Sequence, residues 1–225
     1  MKRLSSIIVG ISGLLLFTGA ANPSARDISP FDLYGDRISF TVLRNGGEVG
    51  THEVRFKRKS GNLVVTSQFD LRVRALVIDL YKYNYTSVAR WSDGVMVQLN
   101  TDVYDNGEKS RVEARGNGKA LAVATNAGQS RIKGPILPTT HWNPGVLSSS
   151  RVLNTITGQV NNVRIAAVGK ERVETERGTA MATKYRYSGD LQTEAWYDTK
   201  GRWVKLRFKA EDGSTIEFKC KKCLG

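Results

Sequence analysis

The chain has 225 residues, with 34 Lys and Arg against 21 Asp and Glu, two His, two Cys and a formal charge of +13. The length fits one domain or at most two, and a hydrophobic content of 40% is enough for a packed core, which excludes wholesale disorder. Two cysteines are too few for a disulfide scaffold or a four-ligand zinc module.

In chain order, residues 1–21 read as a signal peptide. Lys2 and Arg3 form a basic start, Ile7 to Phe17 is apolar, and the small residues Gly19, Ala20 and Ala21 suit a signal-peptidase cleft. The apolar run is too short for a stable transmembrane helix. The expected location is therefore the periplasm, with the leader cleaved after Ala21. Residues 22–31 read as an N-terminal linker, 32–219 as one β domain, and 220–225 as a Cys-containing C-terminal tail.

After Asp32 the sequence reads as strand, turn, strand. Leu63, Val65, Phe69, Leu71 and Val73 alternate with Thr66, Gln68, Asp70, Arg72 and Arg74, a period of two that gives one buried and one wet face. Val95, Val97, Leu99 and Val103, then Val204, Leu206 and Phe208, then Ile216 and Phe218, repeat the pattern. Between them stand Asn45-Gly46, Asp93-Gly94, Asn106-Gly107, Asn117-Gly118 and Asp212-Gly213, which supply the positive φ of tight hairpin turns. The spacing predicts an all-β chain, a single antiparallel meander of about eleven strands. Twist should curl it into an open barrel. The one helix signal is Asn143 as cap with Pro144 at the first helical position, which predicts a short helix or loop lid.

Four segments carry a family resemblance: Asn45-Gly46-Gly47-Glu48-Val49-Gly50-Thr51-His52, Leu137-Pro138-Thr139-Thr140-His141-Trp142-Asn143-Pro144, Leu153-Asn154-Thr155-Ile156-Thr157-Gly158 and Trp196-Tyr197-Asp198-Thr199-Lys200-Gly201-Arg202-Trp203-Val204. Through them, roughly residues 32–219 resemble an exported bacterial family of unknown function. More distantly the chain is similar to the half-barrels of the periplasmic lipoprotein carriers. The resemblance implies an unclosed antiparallel barrel around a lid and leaves the chemistry open, because relatives of such folds include both carriers and an enzyme.

The candidate ligand-binding residues are His141, Trp142, Asn143, His52, Tyr81, Tyr83 and Tyr85. His141, Trp142 and Asn143 occupy the longest turn-like stretch, where a loop could present polar groups at a cavity mouth. The same residues could equally plug the barrel end. His52 shares parity with Val54 and Phe56 and points inward as a ligand group or a core histidine. Tyr81, Tyr83 and Tyr85 share one strand face, as a lipid-lining row or a packing stack. Cys220 and Cys223 are expected to form a local disulfide. No catalytic motif is present, no cofactor and no metal are expected, and whether the chain is an enzyme stays open.

The function expected from these features is a periplasmic binding or carrier protein for an apolar or amphipathic, lipid-like molecule held in a hollow sheet. One alternative is a structural or assembly module of the envelope that binds an anionic partner through a basic face. Another is a cofactor-free enzyme with His141 as acid or base. Partners expected are a lipid or amphipathic small molecule and an anionic membrane surface or envelope protein. Nucleic acid is not expected.

Overall fold

Alternation and turn chemistry account for most of the architecture. The computed structural model describes residues 28–75 and 78–225. The expected leader and residues 22–27 of the expected linker lie outside the described residues, as do residues 76–77, and the linker's last two residues begin the first helix. A five-residue helix, α1 (Pro30–Tyr34), is followed by fifteen strands. These are β1 (Arg37–Arg44), β2 (Gly47–Lys59), β3 (Asn62–Ala75), β4 (Ile78–Ser92), β5 (Val95–Asp105), β6 (Glu108–Gly116), β7 (Ala120–Thr125) and β8 (Gly128–Lys133). Then come β9 (Leu137–Pro138), β10 (Arg151–Leu153), β11 (Val160–Thr175), β12 (Gly178–Gly189), β13 (Thr193–Asp198), β14 (Trp203–Lys209) and β15 (Thr215–Lys222). A short 3-10 helix, Pro144–Ser148, stands between β9 and β10, with Asn143 accepting from the Gly145 N–H at its start.

The expected count of eleven strands is too low, for two reasons. Glycine-marked turns were easy to read, and the Asn45, Asp93 and Asn106 turns do adopt φ of 49°, 48° and 45° followed by a positive-φ glycine. Strands β9 and β10 have only two and three residues, too short to show any period. The β11–β12 turn at Glu176-Arg177 carries neither Asn nor Asp before Gly178, so sequence alone joins two strands into one.

Nor is the sheet a simple meander. Its order is β8-β7-β6-β5-β4-β3-β2-β1-β15-β14-β13-β12-β11-β10-β9, so the first and last strands are neighbours in its middle. β9 and β10 pair in parallel, while every other pairing is antiparallel. The chain leaves one edge at Lys133 and joins the other at Leu137. Four peptide steps span at most about 14 Å, so the two edges must lie close together and the sheet must curl. It is barrel-like but not closed, because β8 and β9 remain edges.

The inner face holds the core. Ile38, Phe40 and Val42 of β1, Val54 and Phe56 of β2, Leu99 of β5, Ala195 and Tyr197 of β13, and Trp203 of β14 are all buried. Into this space runs the segment between β9 and β11. Trp142 lies edge-on to Phe56 and Trp91, at centroid distances of 5.5 and 5.4 Å. The Tyr34 hydroxyl donates to the Trp142 carbonyl and accepts from the Trp203 N–H, both at 2.9 Å, so it joins α1, this inserted segment and β14.

On the outside, the far end of the β11–β12 hairpin reaches β15: Glu174 pairs with Lys219 at 2.7 Å. Trp196 is buried although its neighbours Ala195 and Tyr197 face the interior. It is covered by Lys184, Lys205 and Arg207 at 5.2, 5.1 and 5.4 Å from its ring, and its indole N–H donates to Glu171.

One close approach fixes how β2 lies on β3. The ladder between β1 and β2 shifts between Val42 and Leu43, and a Cβ on Gly50 would sit 1.9 Å from the Asp70 carbonyl oxygen. Gly50→Ala is expected to cost about 2–4 kcal/mol, by forcing backbone apart. Urea unfolding reads this directly, and an unchanged midpoint would contradict the close approach.

Candidate functional site

The residues singled out in sequence divide into two groups. His52 and His141 meet around Trp203 in the sheet's interior, and Trp142 packs beside them against Phe56 and Trp91. The tyrosines of β4 form a separate row toward the other end.

His52 comes from β2, whose alternation turns it inward with Val54 and Phe56. Its ring packs against Phe40, Phe69, Trp203 and Phe218 at centroid distances of 6.2, 6.0, 5.7 and 5.1 Å. Its Nδ1 is buried and has no hydrogen-bond partner among the described residues. Burial holds its pKa down at about 3, with the nearby His141 adding to the effect.

His141 comes from the inserted segment, where its φ of 48° bends the chain. Its carbonyl accepts from the Tyr197 hydroxyl at 2.8 Å, and its ring lies 5.4 Å from both Tyr187 and Trp203. Burial lowers its pKa to about 4. Both imidazoles are therefore neutral at ordinary pH and are enclosed by aromatic rings. Asn143 is buried as the cap of the 3-10 helix.

The tyrosine row grades from wet to dry. Tyr81 and Tyr83 are half-buried, and Tyr85 is buried with its hydroxyl 2.8 Å from Thr155 Oγ1. Burial pushes all three hydroxyls up. Asp105 also acts on Tyr81, with Glu211 and Asp212 nearby, so this end of β4 faces the β5–β6 and β14–β15 turns.

Cys220 and Cys223 are joined in a disulfide, with Cys220 inside β15. The Glu176 carboxylate accepts from the N–H groups of Cys223 and Leu224 at 3.0 and 2.8 Å. The bridged turn thus presents two backbone donors to the β11–β12 turn and ties that hairpin to the chain end. Glu176, Cys220 and Cys223 form one cluster with metal-ligand atoms among the described residues, and the disulfide occupies both sulfurs.

The four family-like segments have structural reasons. Asp198 accepts from the N–H groups of Lys200 and Arg202, both at 2.9 Å, and pairs with the Arg202 guanidinium at 2.6 Å, which fixes the β13–β14 turn ahead of Trp203. The Asn154 side chain accepts from Ile156 and Thr157 at 2.9 and 3.2 Å. Gly158 has φ of 73°, and a Cβ there would sit 2.6 Å from Thr125 Cγ2, so only glycine lets this turn lie against β7. The remaining two segments place His52 and His141 as described.

The outer charges around Trp196 form a local network. Glu194 pairs with Lys184 at 2.8 Å and Arg207 at 2.5 Å. Although burial pushes its carboxyl up, these cations hold it down at about 2. Lys205 pairs with Glu217 at 3.0 Å.

Sequence reasoning missed Tyr34 and named Trp203 only within a family-like segment; these two residues anchor the inserted segment. A signal for Tyr34 exists in Pro30 at the start and Gly35 at the end of α1, the ordinary asymmetry of a short helix. Trp203 stands in a family-like segment, but its role arises from what surrounds it.

The fold and its core define a barrel-like, open β protein whose interior is taken up by its own chain. The chain belongs to the family described as Domain of unknown function (DUF6134), whose model matches residues 40–221. Among solved structures it is similar to the "Crystal Structure of Beta-barrel-like Protein of Domain of Unknown Function DUF1849 from Brucella abortus". That likeness has a TM-score of 0.61 at 10% identity, over 85% of this chain and 97% of the other, and it concerns the fold alone. No curated protein matches.

The neutral histidines give a pH dependence with a defined sign. An unfolded chain protonates them near pH 6.5, whereas the folded chain resists until about 4 for His141 and about 3 for His52. Stability is therefore fully present above that upper value and falls as pH drops through the window. Each histidine costs up to about 1.4 kcal/mol per pH unit within it. Thermal midpoints should decline across this range, less steeply in His52→Leu, and histidine ring NMR signals should show no titration above about pH 5.

Proposed function

We propose that this chain is an exported module of the cell envelope that docks on an anionic membrane surface through its β3–β4 hairpin. One observation carries the reading. Ile78 and Leu80, at the start of β4, leave 63% and 58% of their surface exposed, and Arg72, Arg74 and Lys82 flank them. Large aliphatic side chains at a hairpin end, ringed by cations, match a headgroup boundary.

The energetics agree in sign. Each apolar side chain that enters the acyl boundary contributes about 25 cal/mol per Å² removed from water. Each cation near an anionic leaflet adds about 1 kcal/mol. Asp79 offsets part of this charge by pairing with Arg74 at 2.7 Å, an exposed contact of small worth. Arg72 and Lys82 make no ion pair among the described residues. The packing of the interior by Trp142, Trp203 and the two histidines also favours a role for the outer surface over a central lumen.

Cosedimentation with vesicles checks the reading. Binding to phosphatidylglycerol vesicles should exceed binding to phosphatidylcholine vesicles and fall steeply with salt. The double variant Ile78→Asp and Leu80→Asp should weaken it at least about tenfold while leaving the circular dichroism spectrum unchanged. Equal binding to both lipids, or no effect of the double variant, would overturn it.

A further inference from the structure

An open cavity lies where the sheet fails to close, at the opposite end of β4 from the docking hairpin. Strands β8 and β9 are the two free edges of the sheet, and the chain passes from one to the other through Gly134, Pro135 and Ile136. A cavity of about 450 Å³ opens beside this crossing. Its apolar lining includes Trp91, Met96, Ile136 and Leu137, and its cationic lining is Lys133 and Arg151. That volume falls within the range, about 300–1,000 Å³, of ordinary small-molecule sites.

Two further observations point to an occupant. Lys133 and Arg151, the two cations of the lining, are exposed and form no ion pair among the described residues. Ser148, Ser149 and Ser150 add hydroxyl groups beside Arg151.

We propose that this seam binds one single-chain anionic amphiphile. Its alkyl chain lies against Trp91, Met96, Ile136 and Leu137, and its carboxylate or phosphate headgroup meets Arg151 and Lys133. An alkyl chain matches the aliphatic and aromatic walls, and a planar guanidinium beside an ammonium favours an oxyanion over a neutral or cationic head. The site is independent of the membrane-docking reading, since none of its residues belongs to the hairpin end at Ile78 and Leu80.

Isothermal titration calorimetry below the micelle threshold, with dodecanoate, dodecyl phosphate and dodecyltrimethylammonium as probes, tests the proposal. Saturable binding of either anion, with at least a tenfold preference over the cationic probe, is expected, and the tighter anion identifies the headgroup. The double variant Lys133→Glu and Arg151→Glu changes only exposed side chains and should weaken anion binding at least tenfold. Leu137→Trp should block binding by filling the wall. Neither substitution should alter vesicle cosedimentation, which depends on the other end of the protein. No saturable binding of either anion, equal binding of the cationic probe, or full binding by the charge-reversed variant would overturn the proposal.

Discussion

The Tyr34 hydroxyl holds the molecule's interior together. A sheet of this width curls, and the space it encloses must be filled by something or remain wet. Here the chain fills it with the segment that follows β9, and that segment brings its own backbone carbonyls and N–H groups into an apolar setting. Such groups are tolerated inside only when paired. Tyr34 pairs two of them at once, the Trp142 carbonyl and the Trp203 N–H, and Tyr197 takes the His141 carbonyl. The insert can occupy the interior because these aromatic side chains carry a polar handle at the end of a large apolar body.

That solution shapes where chemistry can happen. The two histidines are the most reactive-looking groups in the chain, and packing among aromatic rings keeps them uncharged and enclosed. The most concentrated cations, around Trp196, are committed to Glu194, Glu217 and the indole face, so they brace β12, β13 and β14 against one another. Two features remain outside this packing, at opposite ends of β4. One end exposes Ile78 and Leu80. The other has the open seam, where Lys133 and Arg151 form no ion pair among the described residues.

Legibility in the sequence followed the range of the interactions involved. Asn45-Gly46, Asp93-Gly94 and Asn106-Gly107 announce their turns because positive φ is a property of one or two residues. The inward parity of His52 and of the tyrosine row follows equally from local alternation. The β11–β12 turn was hidden because Glu176 and Arg177 are unremarkable turn residues, held there by contacts with Cys223, Leu224 and Gly225. The insertion of Trp142 was legible as a possibility, through the turn-rich stretch that contains it. The roles of Tyr34 and Trp203 were not, since their partners lie 108 and 169 positions away from Tyr34.

By itself, then, the sequence determined an all-β chain with a basic balance, its principal hairpins and the face on which each strand's apolar residues lie. These follow from backbone dihedral preference and period-two alternation, both local properties. The tertiary structure alone decided that β1 meets β15 in the middle of the sheet, that the edges approach without pairing, and that the interior is filled from within. It also decided that a cavity forms at the seam. Those outcomes depend on which distant surfaces meet when a twisted sheet curls, and no short stretch of residues contains that information.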